Sequence, residues 1–118
     1  KDKSIKVALF INPNIRDVLL SKKLGADCVE LHTGKYCTLY NFNKKTKSEF
    51  LKLEKATNHA NRIGLKVHAG HGLTFKSVHQ ISKIKDITEF NIGHFIVAES
   101  VFIGLKNTIK KFKRLINK

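Results

Sequence analysis

Four short apolar runs, each followed by a stretch with helical periodicity, constrain this chain more than any other feature of its sequence. "KVALFI" (Lys6 to Ile11), "CVELH" (Cys28 to His32), "KVHAG" (Lys66 to Gly70) and "ITEFNIG" (Ile87 to Gly93) are of strand length and read as short buried strands. Between and after them lie helical segments. "NPN" closes the first run, with Asn12 or Asn14 as a helix cap and Pro13 suited to a first turn. Ile15, Val18, Leu19 and Leu20 then recur at helical spacing up to Gly25. The segment from Ser48 to Leu65 reads as a second helix, capped by Ser48, with Phe50, Leu51, Leu53, Ala56, Ala60 and Ile63 inward and Gly64 as its stop. Val78, Ile81 and Ile84 mark a third. From His94 to Ile116 the chain is helical again, expected in two pieces with a short segment before Ser100. Residues 33 to 47 read as a loop, long for an α/β connection and for that reason a candidate functional element.

Strand and helix alternating four times imply a parallel sheet with right-handed crossovers. A small doubly wound sheet and half of a (β/α)8 TIM barrel both satisfy the pattern. The strand ends favour the barrel, because "NPN", "ELHTG", "HAGHG" and "NIGH" load all four with polar or glycine residues, and a barrel gathers such ends on one face. A complete barrel takes about 250 residues. At 118 residues and without methionine, the chain is expected to be a single domain supplying about four C-terminal βα units of a longer polypeptide.

The formal charge of +14 points first to a polyanion such as nucleic acid. Its make-up argues otherwise: 20 of the 23 basic residues are lysine, nine asparagines accompany them, and the charge is spread along the chain. The two denser runs, "NKKTKSEFLK" and "KKFKRLINK", read as solvated helix faces or ends. No run of eighteen apolar residues is present to cross a membrane, and no apolar leader opens the chain. We therefore expect a soluble cytoplasmic protein with neither nucleic acid nor membrane as partner. Cys28 and Cys37 have no CxxC spacing and read as reduced thiols, Cys28 in the core and Cys37 in the loop.

The strand ends also carry the candidate chemistry. In "HAGHG", Gly70 and Gly72 free the backbone on both sides of His71, whose imidazole can exchange protons near neutral pH; the plainer alternative is a cap for the next helix. In "NIGH", Gly93 and His94 open a helix directly after a strand, the sequence form of a phosphate site, or else of a simple turn. Glu30, in a run of period two, faces either the barrel interior or the helix layer; it either stabilises a cationic intermediate or makes a structural hydrogen bond. His32 reads as a residue that fixes the following loop. His32, His68, His71 and His94 lack the spacing of a helical metal pair, which leaves a metal site a minor alternative.

Taken in order, "VALFINPN", "GADCVELHTGKY", "GLKVHAGHGLTFKSV" and "EFNIGHFIVAESVFIGL" resemble the C-terminal half of the pyridoxine 5′-phosphate synthase family, from Val7 to about Leu115. The specific parts are "HTGxY", "AGHGL" and "NIGH". That resemblance implies an eight-stranded barrel that assembles into higher oligomers, typically octamers. It implies a condensation of 1-deoxy-D-xylulose 5-phosphate with 3-amino-2-oxopropyl phosphate to pyridoxine 5′-phosphate, phosphate and water, with no metal or redox cofactor. Residue by residue, His71 resembles the proton donor, Glu30 the transition-state stabiliser, and Gly72, Gly93 and His94 the contacts to the aminoketone phosphate. The family's other bases lie in an amino-terminal half that this sequence does not contain, so the segment alone is expected to be inactive and, with two open sheet edges, to associate. At Glu99 the resemblance leads us to expect a basic residue instead. Another sugar-phosphate barrel, an isomerase or aldolase, is the alternative enzyme, and a basic RNA-binding module the alternative outside enzymology.

Overall fold

A computed structural model describes residues 3–116. Its element order is β1 (Ala8–Ile11), α1 (Ile15–Lys23), β2 (Cys28–His32), α2 (Gly34–Asn41), α3 (Lys47–Arg62), β3 (Lys66–Gly70), α4 (Phe75–Ile81), β4 (Ile87–Asn91), α5 (His94–Ile103) and α6 (Leu105–Ile116). The four strands form one parallel sheet in the order β1-β2-β3-β4. Each strand therefore pairs with its successor in the chain. A doubly wound sheet reverses its order at a switch point and carries helices on both faces, whereas a barrel wall does neither. The molecule measures 43 × 37 × 23 Å, and 23 Å accommodates a sheet and one layer of helices, each about 10–12 Å across, but not two.

Side-chain alternation separates the two faces. Val29, Leu31, Val67 and Ala69 are at most 1% exposed and share a core with Val18, Leu53, Ala56, Ala60, Val78, Ile81 and Phe112 from the helices. Their neighbours in sequence, Glu30, His32 and His68, point the other way and are only half-buried, and Phe10 is 53% exposed. The register sets Phe10, Glu30, His68 and Glu89 in one row across the four strands, and His32, Gly70 and Asn91 in the next row. Thr88 is the extra residue of a bulge opposite Val67 and His68, and it brings Glu89 and Asn91 onto the polar face. This is a parallel α/β sheet whose open face is lined with polar and aromatic side chains, consistent with part of a TIM barrel.

Local chemistry explains most boundaries. Asn14 caps α1, its Oδ1 accepting from Asp17 N at 2.8 Å, so Pro13 precedes the cap and is not in the first turn. Thr74 caps α4 in a reciprocal pair with Ser77. His71 is accordingly not the cap of that helix. The α3 helix starts after Thr46, not at Ser48, and its cap makes no side-chain hydrogen bond. The last helical stretch divides at Gly104 (φ 84°), four residues later than a break before Ser100 would place it. On α1 only Val18 and Ser21 are buried, leaving Ile15, Leu19 and Leu20 about half exposed, and Leu51 of α3 is also turned partly outward.

The largest departure from the sequence reading lies at residues 33 to 47. This segment is not a long loop: Gly34–Asn41 is helix α2, with Tyr36 and Cys37 buried. Cys37 is thus a core residue. A contact to α3 holds the helix, the Tyr36 ring lying 6.1 Å from that of Phe50 between centres, while Tyr36 and Tyr40 pack along α2 itself at 5.9 Å. Both lysine-rich runs are largely solvated, as expected, although Lys52 turns to Glu49, and the final two residues of "KKFKRLINK" lie outside the described ones. Among the described residues no helix is long and apolar enough to cross a membrane.

Candidate active site

The carboxyl ends of β3 and β4 open onto a cleft of about 620 Å³. Glu30, His71, Gly72, Gly93 and His94 all line it, so the five positions singled out from sequence, drawn from β2, the β3–α4 turn and the β4–α5 turn, meet in one space. Phe10, Asn41, Thr74 and Asn91 complete much of its wall. Glu30 resolves to the barrel-interior face, where Asn91 Nδ2 donates to its Oε1.

His71 is held in a conformation that costs energy. Its φ is 86°, a left-handed backbone that disfavours a residue with a Cβ by about 1–2 kcal/mol. The fully buried Thr33 counters this: its one hydroxyl proton is shared between the Gly70 carbonyl at 2.8 Å and the His71 carbonyl at 2.7 Å, and its amide donates to Gly70 O at 2.9 Å. The turn is thereby clamped to β2. The His71 ring then lies 4.6 Å from that of His32, which stacks on Phe10 at 5.0 Å on its other side. His32 Nδ1 accepts the amide of Gly34 at 2.9 Å, fixing the entry to α2. Gly34 permits this approach, because a Cβ there would sit 2.3 Å from His32 Cε1 and 2.9 Å from His71 Cδ2.

At the other wall Gly93 occupies the cap position just before α5, its carbonyl accepting from Val97 N at 3.1 Å. No side chain caps this end, no acidic residue occupies its first turn, and a Cβ at Gly93 would meet nothing within 4 Å. The first-turn amides therefore face open space beside His94, which suits an anion. The two thiols are not poised for nucleophilic work: burial pushes both up, and for Cys37 hydrogen bonds with Ser77 and Thr33 offset only part of that. Nor do three His, Cys, Asp or Glu side chains converge as metal ligands among the described residues.

Sequence comparison places this geometry. The profile of the family described as "Pyridoxal phosphate biosynthesis protein PdxJ" matches residues 1–118. The chain belongs to the PdxJ family. Among its relatives, pyridoxine 5′-phosphate synthase of Pelagibacter ubique is 53% identical over 98% of this chain and 48% of its own length. The enzymes of that name from Campylobacter fetus and Sulfurihydrogenibium are 45% and 46% identical, again over 98% of this chain, and 53% and 47% of themselves. The chain spans about half the length of the curated relatives it matches.

Within this PdxJ-family segment the structure adds residues that sequence reasoning passed over. Sequence pattern marks Asn91 only as part of a strand end. Its signal was available in the parity it shares with Glu89 on β4, but the bulge at Thr88 decides which residues oppose β3. Thr33 looked like loop and is a clamp. Asn41 reaches the cleft only because α2 is helical, which its sequence does not announce.

Proposed function

We propose that this chain forms the C-terminal half of a pyridoxine 5′-phosphate synthase, which condenses 1-deoxy-D-xylulose 5-phosphate with 3-amino-2-oxopropyl phosphate to pyridoxine 5′-phosphate, inorganic phosphate and water. The observation that carries this reading is the convergence of a carboxylate, an imidazole and an uncapped helix start on one cleft, in a PdxJ-family chain. The helix start and His94 receive the aminoketone phosphate, together with the Gly72 backbone. With that phosphate anchored, the substrate amine adds to the ketone of the sugar phosphate. His71 donates the proton with which the carbinolamine oxygen leaves as water. Glu30 faces the cationic iminium so formed and stabilises it.

The cleft also speaks against the alternative of a lysine-dependent aldolase. Among the described residues no lysine lines it, and Lys66 stands at the opposite end of β3. An RNA-binding reading has only the net charge behind it.

Apolar residues are exposed at both flanks of the sheet, Leu20 and Leu24 near β1, and Val97, Val101 and Phe102 on α5. We propose that an amino-terminal half closes the barrel against these edges, that the whole assembles as a homo-oligomer in the cytoplasm, and that this segment alone is inactive. A completed barrel, in which the amino-terminal half of the Pelagibacter relative precedes this chain, tests the reading. It is expected to form pyridoxine 5′-phosphate and release phosphate, and His71→Asn is expected to lower kcat by about a hundredfold or more. A cooperatively folded completed barrel that turns over neither substrate would overturn it.

A further inference from the structure

Glu30 and Asn91 sit on strands that are not neighbours. Adjacent strands are about 4.8 Å apart, so β2 and β4 are separated by roughly twice that, and a side chain on β3 would ordinarily fill the space between them. Gly70 occupies that position, paired with His32 on one side and Asn91 on the other. With no side chain there, the Glu30 carboxylate lies over the β3 backbone and accepts from Asn91 Nδ2 on the far strand. The fit is close. A Cβ at Gly70 would stand 3.0 Å from the Asn91 carbonyl, 3.1 Å from Glu30 Cδ and 3.2 Å from Glu30 Oε1.

His68, opposite Glu30 in the register, turns its Nδ1 towards Glu89, 3.6 Å from Oε1. We infer that Asn91 is a positioning residue, and Gly70 the gap that lets it act: together they aim the Glu30 carboxylate along the cleft wall. This rests on the role proposed above for Glu30. A carboxylate that stabilises a transient cation must be in place before the charge develops, and misplacement by about 1 Å can cost two orders of magnitude. Asn91 supplies that placement with one neutral donor, which leaves the second carboxylate oxygen free for substrate.

The test uses the completed barrel. Asn91→Leu removes the donor at nearly constant size, and Gly70→Ala inserts a Cβ to which the Asn91 carbonyl and the Glu30 carboxylate must each yield by a few tenths of an ångström, displacing the carboxylate from its contact. Each is expected to lower kcat by about tenfold to a hundredfold with KM for either substrate within about threefold. Asn91→Leu added to Glu30→Gln is expected to cost no more than Glu30→Gln alone, since one acts through the other. A merely structural role would lower the melting temperature, leave kcat per folded molecule intact and give independent, multiplying effects, and that result would overturn the inference. The Asn91 side-chain amide proton, followed by NMR, separates this inference from the functional reading. Glu30→Leu should move it upfield. An unmoved resonance refutes the positioning contact whatever the activity, whereas a moved resonance with undiminished turnover in Glu30→Gln refutes the role of Glu30 and leaves the contact standing.

Discussion

The imidazoles of His32 and His71 lie 4.6 Å apart at an angle of 41°, in a space kept open by Gly34. One ring ends β2 and the other follows β3, so the pair ties the two turns that frame the cleft. The approach exists because three features coincide: a left-handed residue at His71, a hydroxyl clamp from Thr33 and a missing Cβ at Gly34.

Gly34→Ala should therefore act on the site more than on the fold. Its Cβ would fall inside contact distance of both rings, and at least one must leave its rotamer at a cost of about 0.5–1.5 kcal/mol. In the completed barrel kcat is expected to fall at least about tenfold. Gly25→Ala is the control, since Gly25 has φ 86° but nothing within 4 Å of a Cβ. It is expected to lower stability by about 1 kcal/mol and leave kcat unchanged.

Thr33→Val keeps shape and removes the hydroxyl that serves two carbonyls. Because Thr33 is fully buried, the loss is expected to cost about 1–3 kcal/mol in urea unfolding. Release of the clamp also frees the turn at His71, so turnover should fall further than stability alone explains. Unchanged kcat in a destabilised protein would show that the clamp serves folding only.

Glu49 carries the clearest pH dependence. It is buried in the first turn of α3, and although burial raises its pKa, hydrogen bonds and charge from Lys52 at 3.1 Å and Lys35 at 3.3 Å outweigh that and hold it below the reference of 4.5. A carboxyl with a lower pKa when folded stabilises the protein above its unfolded pKa and loses that contribution as pH falls through the folded value. Stability should accordingly decline below about pH 4.5 through this group. Glu49→Gln is expected to cost about 1 kcal/mol at pH 7, since both lysines are well exposed, and to flatten the acid limb. Urea titrations of both proteins between pH 3 and 7 would check it, and parallel curves would count against Glu49.

Two open strand edges and apolar flanks predict association of the chain by itself. Sedimentation velocity should show species heavier than the 13.4 kDa monomer, and a separately expressed amino-terminal half should convert them to a single complex. A well-behaved monomer would contradict this.

What could be read without a structure follows from local periodicity. The alternation of β1 to β4 with α1, α3, α4 and the α5–α6 stretch is written in apolar spacing, and the polar clusters at the strand ends mark where chemistry collects. His71, Gly72, Gly93 and His94 stand out as glycines beside polar residues at strand ends, and Glu30 as a carboxylate within an apolar run. Helix α2 did not stand out. Its cap hydroxyl is spent on Gly70 and His71, its buried residues Tyr36 and Cys37 are adjacent and show no helical period, and aromatic contacts to Phe50 hold it.

Whether Glu30 faces the helices or the barrel interior, and whether His71 caps a helix or lines a cleft, only the tertiary structure decided. Period two specifies that alternate residues share a face, but which face is covered depends on where the helices pack. The bond from Asn91 to Glu30 is further still from local sequence: it spans 61 residues, crosses an intervening strand and depends on a bulge at Thr88 and a glycine at position 70. Spacing along a chain carries the period of its elements. It does not carry the register between strands, and the register is what brought these side chains together.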